Sequence, residues 1–136
     1  MLETLRAHHE RIRACLLIHR ELCSAVAPEG GRLVLSRLRL LTAKAERSRF
    51  LARHVLPLLE DSADGVIDEL VTRLAIDHAA RQDAIKAHLK RWDALSIERD
   101  WEAYQAAATR FMASVEERIR LEADALGPTL TRIGAI

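Results

Sequence analysis

Apolar residues recur along this chain at intervals of three and four, the spacing that gathers side chains onto one face of an α-helix. The first stretch reads Leu2, Leu5, His9, Ile12, Leu16, His19, Cys23, and the second Val34, Leu38, Leu41, Ala45, Ser48, Ala52, Val55, Leu59. A third runs Ile67, Leu70 or Val71, Leu74, His78, Ile85, Leu89, Trp92, and a fourth Trp101, Tyr104, Ala108, Phe111, Val115, Arg118, Glu122, Ala125. The period is helical throughout and predicts an all-α fold. Turn-forming clusters at Pro28-Glu29-Gly30-Gly31, at Glu60 to Gly65, around Ser96 and at Gly127-Pro128 place four helices at about 2–26, 32–60, 63–94 and 97–126, with a short C-terminal tail over 127–136. Pro57 is expected to kink or terminate the second helix close to its end.

Short connections force neighbouring helices to run antiparallel, which gives an up-down-up-down four-helix bundle packed near 20°. The 136 residues suit a single domain, 1–136, large enough to bury a core without disulfides. In that arrangement His9, the region from Ser48 to Ala52, His78 and the Arg118/Glu122 pair share one half of the bundle.

Composition narrows the partners. Lys and Arg total 21 against 20 Asp and Glu, so no global field draws in nucleic acid or an anionic membrane surface. The local excess from Arg32 to Arg53, with Arg37, Arg39, Lys44, Arg47 and Arg49, reads as the solvated face of an amphipathic helix. Cys15 and Cys23 lie too far apart along one helix to pair and read as reduced, half-buried side chains. No charged leader with an apolar run opens the sequence, and no apolar stretch approaches the roughly 18 residues of a membrane span. Cytoplasm is the expected compartment.

A buried imidazole or carboxylate needs a partner. His9 and His78 on their stripes, answered by Arg118 and Glu122 on the fourth, therefore point to one polar site inside the helices. Bundles build metal sites from such groups, with i,i+4 pairs placing two ligands on one face. The phrases Leu5-Arg6-Ala7-His8-His9-Glu10-Arg11-Ile12, Leu74-Ala75-Ile76-Asp77-His78 and Arg118 to Pro128 together make the chain resemble the hemerythrin family over nearly its whole length.

That resemblance implies a four-helix bundle around a non-haem di-iron centre that binds or senses oxygen, iron or redox state. By position it makes His9 the first-helix ligand, ahead of His8, His78 the second histidine of helix three, and Glu122 the helix-four carboxylate, placed before an ending like Leu126-Gly127-Pro128. The sequence departs from the pattern elsewhere. Neither Arg47/Leu51 nor Ser48/Ala52 supplies the helix-two His and Glu, Leu74 stands where another histidine belongs, and Arg118 stands where the helix-four histidine belongs. Three of seven ligand positions survive: His9, His78 and Glu122. The expectation is a lost di-iron site with no cofactor, in which Arg118 neutralises Glu122 by an internal ion pair and Ser48 and Ala52 leave it room. The alternative is a metal held by His9, His78 and Glu122, zinc or non-haem iron.

The remaining candidates are plainer. His19 lies about 15 Å along the axis from His9 and reads as a satisfied core histidine, while His54 and His88 read as surface residues. Asp77 and His78 point away from each other as helix neighbours and make no acid/base pair. No phosphate loop, nucleophile elbow or Cys-x2-Cys pair occurs, so no enzyme class is expected. Trp92, Trp101, Tyr104 and Phe111 read as core packing, and Leu130, Ile133 and Ile136 as an apolar tail that packs back or meets a second copy in a homodimer. The expected function is an intracellular binding or regulatory module for an unidentified protein or small ligand. The alternatives are iron-based oxygen, redox or iron sensing, and a metal-free protein-interaction bundle.

Overall fold

The computed structural model describes residues 1–62 and 64–133. Those residues are helical almost throughout, without a strand among them: α1 (Leu2–Cys23), α2 (Gly30–Phe50), a π-turn (Leu51–Val55), α3 (Leu56–Glu60), α4 (Gly65–Arg91), α5 (Ala94–Arg99) and α6 (Trp101–Arg132). No helix among them is long and apolar enough to cross a membrane.

In α1 the buried residues are the seven of its apolar stripe, from Leu2 to Cys23. The helix stops three residues short of the predicted end. Ser24 turns its hydroxyl back to the Arg20 carbonyl at 2.9 Å, and Pro28 ahead disfavours further helix. At the start of α2 the Gly30 N–H donates to Glu98 Oε1 at 3.3 Å, tying α2 to α5.

The second helix corrects the predicted stripe. Beyond Gly30 at its start, its buried residues are Leu33, Ser36, Arg37, Leu40, Ala43 and Arg47, about one position earlier than the periodicity suggests, and Leu38 is 57% exposed. Arg37 and Arg47 are therefore core residues rather than members of a solvated face. Beyond Val55 the two patterns coincide, because the π-turn takes in one extra residue: the Leu56 N–H reaches the Leu51 carbonyl, five residues back. Pro57 follows directly. It has no N–H to give, and its ring would press on the Arg53 carbonyl in an ordinary turn, so the wider turn lets the helix continue into α3 instead of ending.

Asp64 caps α4 by accepting from the Val66 N–H at 2.8 Å, and Asp93 caps α5 by accepting from the Ser96 N–H at 2.7 Å. The predicted helix over 97–126 is thus two elements, α5 and α6, and α6 continues through Pro128 to Arg132. Pro128 removes a bond only from the carbonyl of Asp124, an exposed residue where water can take its place. Leu130 is fully buried beside Leu2, Leu59 and Leu126, so this part of the expected tail is helical core. Ile133 packs on the same cluster, and Ile136 lies outside the described residues.

α1 packs on α2 and α6, α5 joins α2 to α6, and α4 rests on α3 and α6. Two apolar clusters result, one around Ile12, Leu16, Leu40, Tyr104 and Ile119, the other around Leu5, Val55, Leu59, Ile67 and Leu126. Between them runs a layer of buried polar side chains. Of the four long helices α4 contributes least, with only Ile67 and Leu74 buried along its 27 residues.

Candidate functional site

The polar layer forms where the inward stripes of α1, α2 and α6 each carry one turn of charged or imidazole side chains: His9 between Leu5 and Ile12, Arg47 between Ala43 and Leu51, and Arg118 and Glu122 between Val115 and Leu126. Glu122 has no exposed surface. His9 Nε2 donates to its Oε1 at 2.8 Å, while Arg47 Nη1 at 2.8 Å and Arg118 Nε at 2.6 Å both donate to its Oε2. Burial alone would raise the Glu122 carboxyl, but the His9 hydrogen bond and the Arg47 and Arg118 charges outweigh it and hold it below the ordinary carboxylate value.

Arg118 also ties α6 to α4, donating through Nη1 to the Leu74 carbonyl at 3.0 Å and to Asp77 Oδ2 at 2.8 Å. Asp77 accepts a second bond from Arg81 Nε at 2.8 Å, and Arg81 in turn donates to the carbonyl and hydroxyl of Ser114. The two arginines lower the Asp77 carboxyl against the opposing effect of partial burial.

The sequence-predicted residues separate at this point. His9, Arg118 and Glu122 meet, and the predicted Arg118/Glu122 ion pair is buried. His78 is on an exposed part of α4 and lines the cleft beside the layer, its imidazole lowered by partial burial and then by the charges of Arg118, Arg47 and Lys44. Among the described residues no three His, Cys, Asp or Glu side chains are grouped as a metal ion requires. Periodicity could not find Arg47, because the one-residue offset corrected by the π-turn puts it outside the apparent stripe.

The cleft, about 350 Å³, opens between α2, α4 and α6. Its cationic lining is Lys44, Arg47, Arg49, Arg81 and Arg118, with His78 on the α4 side and no carboxylate among the lining residues. Burial pulls the Lys44 ammonium down to about 8, with Arg47 and Arg81 adding to the effect. Arg47 Nε is buried without a hydrogen-bond partner. A second cleft of about 330 Å³ shares Ser48, His78 and Arg118 with the first and is otherwise lined mainly by apolar groups, including Leu51, Leu56, Val71 and Leu126.

Elsewhere, both ring nitrogens of buried His19 are engaged, Nδ1 with Ser36 Oγ at 3.0 Å and Nε2 with the Tyr104 hydroxyl at 2.9 Å, as its place in the core requires. Burial lowers it to about 4. His88 is not a surface residue: it stacks on Phe111 with centroids 4.7 Å apart, and burial lowers it to about 4 as well. His54 is exposed. Trp92 and Tyr104 are core residues in edge-on contact. Cys15 and Cys23 are unpaired, and burial pushes the Cys23 thiol up to about 11.

The chain matches no family model, and no curated protein and no solved structure matches it.

Proposed function

We propose that this chain is a hemerythrin-like bundle, antiparallel and up-down-up-down over its four long helical segments, in which a salt-bridged centre occupies the place of the di-iron site. On this reading it serves in the cytoplasm as a binding or regulatory module rather than as an enzyme. The observation that carries the proposal is the convergence of Arg47 and Arg118 on Glu122. Arg118 stands where the resemblance expects the last helix's histidine, and Arg47 stands at one of the two second-helix positions, Arg47 and Ser48, that could hold a ligand. Two guanidinium groups supply the positive charge that a metal would bring to this carboxylate, and a cation placed among them would meet strong repulsion at low dielectric.

The test is metal analysis of protein purified from iron-supplemented cells without chelator, together with thermal melts with and without EDTA. Metal-free protein whose melting temperature is indifferent to EDTA is the expected result, since a ligand bound only to the folded state would stabilise it. Stoichiometric iron with an oxo-bridge absorption band would overturn the proposal in favour of oxygen, redox or iron sensing. The Arg47→His, Arg118→His double variant examines the resemblance itself. With His9 and Glu122 it would present four nitrogen and oxygen donors to Zn(II) or Fe(II), and failure to acquire either metal would count against an inherited site.

A further inference from the structure

We infer that the two adjoining clefts, which share Ser48, His78 and Arg118 as lining and lie among α2, the π-turn, α3, α4 and α6, form a binding site for a small amphiphilic anion, a single carboxylate or phosphate head carried on an alkyl chain. The inference rests on the metal-free reading of the polar centre, because a metal on His9 and Glu122 would redirect the two arginines that line the cleft.

Charge is the first argument. Beside exposed Arg49 at the rim, Arg47, Arg81, Arg118 and Lys44 bring four cations to the layer and its cleft, whereas the carboxylates bonded to these arginines inside the layer are Glu122 and Asp77. Glu117, 3.7 Å from Arg81, is itself 63% exposed and belongs to the rim. Lys44 has no ion-pair partner among the described residues. Its contact is the face of Phe111, 5.7 Å from the ring centre. A partly buried ammonium beside three guanidinium groups is costly without an anion.

The second argument is an unfilled donor. Arg47 is 3% exposed, lines the cleft and keeps its Nε–H without an acceptor. Buried donors are almost always paired; a ligand oxygen in the cleft would give Lys44 its anion, and the Arg47 Nε–H, covered as the side chain stands, would reach it once the guanidinium turned toward the cleft. Ser48, at the junction of the two clefts, adds a hydroxyl.

The third argument is shape. The apolar arm begins at Arg118 and Ser48 and runs beneath Leu51, Leu56 and Val71, with Glu60 as its one carboxylate. An anion at the basic end would lay its alkyl chain along this arm. α4, which is thinly packed, forms one wall of both clefts.

The experiment is isothermal titration calorimetry on the metal-analysed protein with octanoate and octyl phosphate as probes, and with acetate, inorganic phosphate and octanol as controls. One octanoate or octyl phosphate per chain is expected, the tighter of the two identifying the head group. Acetate, phosphate and octanol should each bind at least about tenfold more weakly, since each lacks one half of the recognition. Lys44→Gln should weaken octanoate by about tenfold, and Ala75→Trp, which fills the apolar arm, should abolish binding. Neither residue supports the Glu122 bonds, so both variants should keep the wild-type circular dichroism spectrum. Octanol binding as tightly as octanoate, or acetate as tightly, would overturn the inference, as would no binding by protein shown to be metal-free. Stoichiometric metal in the same sample would overturn the proposed function instead.

Discussion

Arg118 reaches Glu122 one helical turn away with its Nε 2.6 Å from Oε2, and both side chains are inside the protein, at 6% and 0% exposure. A surface pair of this spacing is worth a few tenths of a kcal/mol. Here the pair also receives Arg47 from α2 and His9 from α1, so one carboxylate connects three helices.

Glu122→Gln removes the charge that Arg47 and Arg118 share, leaving Arg47 buried without an anion and Arg118 with Asp77 alone. The expected loss is about 3–5 kcal/mol in urea denaturation. The quadruple variant His9→Leu, Arg47→Met, Arg118→Met, Glu122→Leu examines the layer as a unit, because it removes the carboxylate together with all three side chains that donate to it. It should recover most of that loss by fusing the two apolar clusters. Stability as low as that of Glu122→Gln would count against a purely electrostatic origin.

Acid should destabilise the protein from mildly acidic pH. His19 is lowered from 6.5 to about 4 in the folded state, so between those values the unfolded chain binds a proton that the folded chain does not. Stability contributed by neutral His19 is complete above pH 6.5 and is lost as pH falls toward 4, by roughly 3 kcal/mol. His88 acts in the same direction. Urea midpoints between about pH 7.5 and 4.5 measure the slope, and His19→Gln, which keeps an amide to bond Ser36 and Tyr104, should flatten it. Glu122 adds its own loss only at lower pH, below the ordinary carboxylate value.

Two adjacent glycines should respond oppositely to alanine. At Gly30 a Cβ would lie 2.8 Å from the Ala94 carbonyl oxygen and 2.8 Å from Glu98 Oε1, so Gly30→Ala must push α5 from α2, at about 1–3 kcal/mol. At Gly31 nothing lies within 4 Å, and alanine should stabilise the first turn of α2 by about 0.4–1 kcal/mol. Thermal melts of the two variants give the sign directly.

Lys44 should titrate near pH 8. After reductive 13C-methylation, one lysine methyl resonance is expected to move with a midpoint near that value and to be missing from Lys44→Arg. A spectrum without such a resonance would mean that the ammonium is better solvated than its place in the cleft suggests.

Helical periodicity was enough for the all-α class and for the inward faces of α1 and α6, where Leu5, His9, Ile12, Phe111, Arg118 and Glu122 all lie as the pattern predicts. It was enough because neither helix departs from regular turns within those stretches. α2 was less legible. Val34, Leu38 and Leu41 make as good a stripe as Leu33, Arg37 and Leu40, and nothing in residues 51–55 announces a π-turn except Pro57 after it. His78 fell on the wrong side for a different reason: Arg118 takes the Leu74 carbonyl and Asp77, which turns Asp77 inward and leaves its neighbour at the cleft wall. Arginines read as solvated because charge usually is, and only the three-dimensional register shows Arg47 under cover.

The π-turn makes one residue of the second helical segment surplus. Deleting a single residue between Leu51 and Val55 would let the segment close in ordinary turns with Arg47 and Leu59 both still facing inward, because the wide turn already absorbs that residue. Deleting one from the regular turns of α6 between Phe111 and Arg118 would instead rotate one side by about 100° against the other, and Phe111 and Glu122 could not then both face inward. Single-residue deletions should therefore be tolerated at the π-turn and not in the middle of α6.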